Sequence, residues 1–193
     1  MMKAMTGHSA VAVPSAWVQR WAPRVRKGGA VLDVACGGGR HSRFFADLGH
    51  VVDAVDRDPA VIALMAGVAG VTALCADIEG ADWPYAGRTY AAVVVTNYLH
   101  RPLFPYLLTA LESGGVLIYE TFGTGNEVYG RPLNPEFLLR PRELLELAGE
   151  DLHVLAYENG YVEHPKPAVV QRICAILKPV LDVDQNPNFI LNS

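Results

Sequence analysis

An apolar strand pattern, Val31-Leu32-Asp33-Val34-Ala35, runs straight into Cys36-Gly37-Gly38-Gly39 and then into the helix start Arg40-His41-Ser42. Three consecutive glycines between a buried strand and a helix constrain a fold tightly. Without Cβ atoms, the backbone can take positive φ values and let a ligand lie against main-chain N–H groups at the positive end of a helix dipole. The turn is therefore the expected ligand site. Its neighbours narrow the ligand. Gly37 and Gly39 are followed by Ser42, so the third glycine of a dinucleotide fingerprint is missing, and Asp33 stands four positions before Gly37. A carboxylate repels a pyrophosphate but suits an ammonium or a sulfonium.

On these residues, Asp33-x-Ala35-Cys36-Gly37-x-Gly39 resembles the first motif of class I S-adenosylmethionine-dependent methyltransferases. The resemblance implies S-adenosylmethionine as cofactor, with Asp33, Ala35, Cys36, Gly37, Gly39 and His41 at its turn. Later strand ends fit the same scheme. The pattern Val51 to Asp58 is apolar and ends in acid, and Asp56 falls 19 positions after Gly37. That spacing puts a carboxylate at the tip of the second strand, where it can accept both ribose hydroxyls, with Arg57 beside it. An N-cap or turn role before Pro59 is the alternative for Asp56, although Asp53 and Asp58 suit that role better. A third apolar run, Val71 to Ala76, ends in Asp77-Ile78. The resemblance implies an adenine pocket closed by the Asp77 side chain and the Ile78 backbone N–H.

A fourth run, Tyr90 to Thr96, is almost continuously apolar, as in strands buried on both faces of a parallel sheet, and it exits into Asn97-Tyr98-Leu99-His100. In the related enzymes that exit lies beside the transferable methyl, which makes Asn97 a cofactor contact and Tyr98 and His100 candidate acid–base groups. Ala91 stands where the family pattern often has an acid. An Asn-Pro-Pro-Tyr or Asp-Pro-Pro-Tyr run is absent, which argues against the enzymes that methylate amino groups of nucleic-acid bases. Methyl transfer by in-line displacement needs mainly alignment and exclusion of water. If the acceptor must lose a proton, His100, Tyr98 and Glu120 are the candidate bases, with His41 behind them; a thiolate, carboxylate or metalloid anion needs none.

Strands and helices alternate along the chain. The lead-in helix is expected over Trp17 to Val25, and further helices over His41 to Leu48, Ala60 to Ala66, Leu103 to Leu111 and Arg142 to Ala148. Strands are expected over Val31 to Ala35, Val51 to Asp56, Val71 to Ala76, Ala92 to Thr96 and Val116 to Phe122, the last preceded by a Glu112 to Gly115 helix stop and turn. Alternation implies a parallel sheet with helices on both faces. Leu152 to Val162 and Ala168 to Leu177 then read as two strands joined directly, hence antiparallel. The expected fold is a doubly wound, mostly parallel seven-stranded α/β sheet with an antiparallel C-terminal strand, Rossmann-like as in the methyltransferases. The segment 123–141, rich in glycine and proline but carrying Tyr129, Phe137, Leu138 and Leu139, leaves the sheet at its ligand edge and reads as a substrate lid. Thr121, Phe122, Tyr129, Arg131, Asn134 and Arg140 are its candidate acceptor contacts, plain solvation being the alternative for the arginines.

At 193 residues and 51% hydrophobic content, the chain suits one domain with a real core, 1–193, and not disorder. No apolar run reaches the roughly 18 residues of a spanning helix, and residues 1–14 have no signal-peptide core. Cys36, Cys75 and Cys174 form no Cys-x-x-Cys pair and fit a reducing, cytoplasmic setting. Cys36 could be an acidified thiol at a helix start or a small packing residue. With net charge −4 and no basic block, nucleic acid is not an expected partner. The six histidines, His8, His41, His50, His100, His153 and His164, show no metal-ligand spacing, so no metal is expected. The apolar stretch Ile173 to Leu181 and the tail Asn188 to Leu191 suit either core or a homo-oligomer interface. The expected function is S-adenosylmethionine-dependent methyl transfer to a small-molecule acceptor, of the minimal tellurite-resistance-like bacterial type. The alternatives are an NAD-dependent oxidoreductase, disfavoured by Asp33, and a non-catalytic cofactor-binding partner protein.

Overall fold

The computed structural model describes residues 13–80 and 82–179. Its strands are β1 (Val31–Val34), β2 (Val52–Asp56), β3 (Val71–Cys75), β4 (Tyr90–Thr96), β5 (Leu111–Phe122), β6 (Leu152–Val162) and β7 (Ala168–Leu177). They pair in the order β3-β2-β1-β4-β5-β7-β6. β7 runs antiparallel to both neighbours, while β1 to β5 are mutually parallel, so the expected sheet is the one that forms. The chain winds outward from β1 to β3 and then returns to the other side of β1 with β4. The carboxyl ends of β1 and β4 therefore flank the point where the winding reverses, the place where open α/β sheets bind ligands.

The periodicity of the strands explains the two cores. Leu32, Val34, Val93, Val95, Leu117 and Tyr119 project to one face and pack with residues of α4 (Phe104–Thr109) and α5 (Glu143–Ala148). Val31, Val94, Val116 and Ile118 project to the other, against Trp17 and Val18 of α1 (Ala16–Trp21) and Phe45 of α2 (Arg40–Asp47). Central strands with both faces covered have no room for alternation, which is why they read as unbroken apolar runs. β3 is an edge strand and half-exposed, with Leu74 open to solvent. α3 (Pro59–Ala63) buries no residue.

Several boundaries differ from expectation for local reasons. The lead-in helix stops at Trp21, because Pro23 turns Ala22–Arg24 into a 3-10 turn. β4 starts at Tyr90, two residues early, where the Tyr90 hydroxyl donates to the buried Asp53 carboxylate at 2.8 Å. Asp53 therefore serves a structural pair and not a cap. Glu112 to Gly115 is not a free turn but a bulge within β5: Tyr90 faces Leu111, whereas Ala92 faces Val116. Gly115 is required there, since a Cβ would lie 2.8 Å from the Tyr90 carbonyl oxygen.

The 123–141 segment is folded against the sheet. It contains 3-10 turns at Asn126–Val128 and Pro135–Phe137, buries Leu138 and Leu139, and bridges Gly123 to Leu139. Among the described residues no helix is long and apolar enough to cross a membrane, and no three metal-binding side chains converge. His8, the end of the 173–181 stretch and the tail 188–191 lie outside the described residues.

Candidate functional site

β1 ends at Val34, and the backbone then turns through Ala35 at φ +52°, Gly37 at +53° and Gly39 at +72° before α2 begins. Positive φ at Ala35, and at Asn97 just past β4 (φ +55°), is uncommon for residues with a Cβ, and both border the same cleft. A Cβ on Gly37 would meet nothing within 4 Å, so bare backbone faces open space there. On Gly39 it would lie 2.2 Å from Met65 Sδ. The two glycines thus differ: Gly37 borders open space, whereas Gly39 leaves room for the core.

The cleft, of about 360 Å³, opens at the carboxyl ends of the strands. It brings together Ala35, Asp56, Arg57, Asp77, Ile78, Asn97, Tyr98, Thr121 and Phe122 from the sequence-derived candidates. Asp56 accepts the Gly37 N–H on Oδ2 at 2.9 Å and the Asp58 N–H on Oδ1 at 3.0 Å, tying the second strand end to the glycine turn. A carboxylate has about four lone-pair sites, so about two remain for a ligand. Capping of α3 falls to Asp58, which accepts the Ala60 N–H at 2.8 Å. Asp77 accepts the Glu79 N–H at 2.9 Å, a side-chain turn that keeps its carboxylate at the rim.

Other candidates lie elsewhere. Asp33 is buried beneath the turn and accepts the Ser42 hydroxyl at 2.5 Å. Burial raises its pKa to about 6, against the lowering effect of that hydrogen bond. Its immediate role is to hold the start of α2. His41 is buried as well; its Nε2 accepts the Ser15 N–H at 3.1 Å, which leaves the proton on Nδ1, 3.3 Å from Thr96 Oγ1. Burial pushes its pKa down to about 3, so it is a neutral strut. Cys36 is a packing residue with its thiol pushed up by burial, opposite to the acidified alternative.

Glu120 points to the α1 face of the sheet. It accepts the Ser15 hydroxyl at 2.5 Å and pairs with Arg172 at 2.7 Å, outside the cleft lining. His100 precedes the 3-10 turn Arg101–Leu103 and is likewise not part of the lining. Tyr98 alone of the three proposed bases faces the cleft; its hydroxyl donates to Glu79 at 3.1 Å, and burial together with Glu79 raises its pKa.

Of the acceptor candidates on the 123–141 segment, none lines the cleft. Tyr129 packs on Tyr161, Asn134 caps the turn at Pro135–Phe137, Arg140 pairs with Glu143 and Glu146, and Arg131 stands outside the lining. Pro132 and Phe137 occupy the place assigned to them, and Glu79 and Leu99 complete the wall. No sequence signal marked Pro132 as a wall residue, whereas Phe137 belonged, with Tyr129, Leu138 and Leu139, to the aromatic and apolar content of the loop.

A parallel sheet wound around a glycine turn, closed by one antiparallel strand and carrying acids at successive strand ends, is the class I methyltransferase architecture. Residues 31–115 match the protein family described as methyltransferase domain. Solved structures agree in fold. TehB from Haemophilus influenzae matches with TM-score 0.72 at 20% identity, over 89% of this chain and 64% of that one, so this chain spans under two thirds of TehB's length. A TehB-like S-adenosylmethionine-dependent methyltransferase from Corynebacterium glutamicum matches with TM-score 0.61 at 17% identity, over 84% of this chain and 86% of that one. The glycopeptide N-methyltransferase MtfA, complexed with S-adenosylhomocysteine, matches with TM-score 0.61 at 19% identity, over 86% and 90%. No curated protein matches the sequence. None of these likenesses favours a nicotinamide enzyme.

Proposed function

We propose that this chain methylates a small-molecule acceptor, with S-adenosylmethionine held across the glycine turn and the acceptor seated under the 123–141 segment. The carrying observation is the cleft that Ala35, Asp56, Asp77 and Ile78 share at successive strand ends, with the Gly37 N–H of the adjoining glycine turn bonded to the Asp56 carboxylate. These residues fit the cofactor. Asp56 has oxygen sites left for ribose hydroxyls, Asp77 and buried Ile78 suit an adenine edge and face, and Asn97 stands at the methionine end.

When bound, the cofactor supplies an electrophilic methyl on a sulfonium. The chain's own part is alignment and exclusion of water, provided by the folded 123–141 wall. A proton-abstracting role for Glu120 or His100 has no support in their positions, and Tyr98 is held as a donor to Glu79. Residues 1–193 acting as one domain, in a reducing compartment that keeps the three cysteines free, complete this reading.

Calorimetry with S-adenosylhomocysteine tests it. Micromolar-range binding by the native chain, weakened at least roughly tenfold in Asp56→Ala, is expected for a lost charge-assisted hydrogen-bond pair. Absence of binding, or undiminished binding by Asp56→Ala, refutes the assignment.

A further inference from the structure

Charge is unevenly distributed around the cleft. Its charged side chains, Asp56, Arg57, Asp77 and Glu79, all come from β2 and from the segments that follow β2 and β3. The far half, from the ends of β4 and β5 and from the 123–141 segment, is formed by Tyr98, Leu99, Thr121, Phe122, Pro132 and Phe137. None of these is a cation that could meet an anionic acceptor, and an unpaired anion taken out of water there would be strongly penalised.

That uncharged half is held in place by long-range bonds. Arg101 donates to the carbonyls on either side of Phe137, Glu136 at 2.6 Å and Leu138 at 2.9 Å. Its Nε and Nη2 grip the buried Glu143 carboxylate at 2.6 Å and 3.0 Å. Phe137 is 52% exposed in spite of this clamp, so its position is fixed by the backbone and not by packing in the core. Across the cleft, the Tyr119 hydroxyl donates to the Tyr98 carbonyl at 2.9 Å and fixes the opposite wall.

The geometry points to an uncharged acceptor with an apolar or aromatic body, bound between Tyr98, Phe122 and Phe137, whose nucleophile is a lone pair free at neutral pH, such as a heteroaromatic nitrogen; Arg101 is the positioning residue that seats Phe137. This inference rests on the methyltransferase reading above. A lone pair of that kind forms the new bond to the methyl carbon while the carbon–sulfur bond breaks and its electrons return to sulfur. No proton leaves, so the far half of the cleft, which carries neither a carboxylate nor an imidazole, need supply no base. Positive charge moves from sulfur to the acceptor, and aromatic faces stabilise a cation throughout the transfer.

The test compares 4-methylpyridine with its size-matched anion 4-methylbenzoate, and with selenite, as ligands of the S-adenosylhomocysteine-saturated protein above neutral pH. 4-Methylpyridine is expected to bind at least roughly tenfold more tightly than either anion and, with S-adenosylmethionine present, to yield its N-methyl cation by mass spectrometry. Phe137→Ala and Arg101→Met each lower that affinity about tenfold while S-adenosylhomocysteine affinity stays within about twofold. Arg101→Lys does not rescue, since a point charge cannot serve two carbonyls and a carboxylate together. Weak or absent 4-methylpyridine binding, preference for an anion, or indifference to Phe137→Ala overturns the inference. Failure of S-adenosylhomocysteine itself to bind overturns the reading beneath it, and this inference with it.

Discussion

Gly37 and Gly39 offer a sharp comparison, because they share a backbone conformation and differ in what surrounds it. Both have left-handed φ, +53° and +72°. An alanine at either position therefore carries about 1–2 kcal/mol of backbone strain. A Cβ at Gly37 meets nothing within 4 Å, whereas at Gly39 it meets Met65 Sδ at 2.2 Å and Cγ at 2.7 Å. Met65 is only 1% exposed, so its side chain can yield only by disturbing Cys36 and Ala54 in the same cluster. Forcing extra volume into such a core adds about 1–3 kcal/mol. Gly39→Ala is thus expected to lose about 2–5 kcal/mol and Gly37→Ala about 1–2 kcal/mol, sums of the two terms just given. Equilibrium urea unfolding, followed by tryptophan fluorescence and far-UV circular dichroism, measures both. Met65→Ala supplies the decisive control. Placed in the Gly39→Ala background it removes the overlap, so the double variant must lose less than the sum of the two single losses. Equal stability of the two glycine variants, or strict additivity with Met65→Ala, would refute the steric account.

Two further outcomes follow from burial. His41, ordinarily titrating at 6.5, is pushed down to about 3 by burial, with Arg40 adding to the effect. The unfolded chain therefore takes the proton first: the stability that His41 contributes is complete above about pH 6.5 and is lost as pH falls toward 3. Asp33, raised from 3.8 to about 6, acts in the opposite sense, its contribution being lost as pH rises through that value. The difference between native protein and His41→Gln cancels Asp33. It should shrink between neutral pH and pH ~4 by a few kcal/mol at most, and a constant difference would count against a buried neutral imidazole. Brief treatment of the native protein with iodoacetamide should label exposed Cys75 first. Cys36 and Cys174 are buried, the latter thiol pushed up to about 12, and should react only after unfolding; peptide mass mapping showing Cys36 alkylated as fast as Cys75 would contradict this.

Strand-end logic foretold part of the cleft lining, though Asp33, Cys36 and His100, as near to strands, lie outside it. Asp56, Asp77, Ile78, Asn97, Tyr98, Thr121 and Phe122 all reach one cleft, because parallel strands deliver their carboxyl ends to one edge whatever the details of packing. Glu120 failed the same logic by a single position. Adjacent residues of a strand face opposite sides, and Glu120 turns to Ser15 and Arg172 while Thr121 turns to the cleft. On the 123–141 segment the polar residues singled out are taken up by local capping and ion pairs, as Asn134 and Arg140 show.

Periodicity, glycines and acids placed just past strands were enough to read the sheet, its winding and most of the strand-end residues of the cleft. Packing alone brought Pro132 and Phe137 of the 123–141 segment to the cleft wall. Arg101 and Glu143 meet across 42 positions, and the Ser15 hydroxyl reaches Glu120 across 105. Pairings that distant leave no trace in local pattern, because they depend on how two elements pack and not on what either element is. The glycine turn is legible because its signals are local; Phe137 reaches the cleft wall through a clamp that no periodicity reveals.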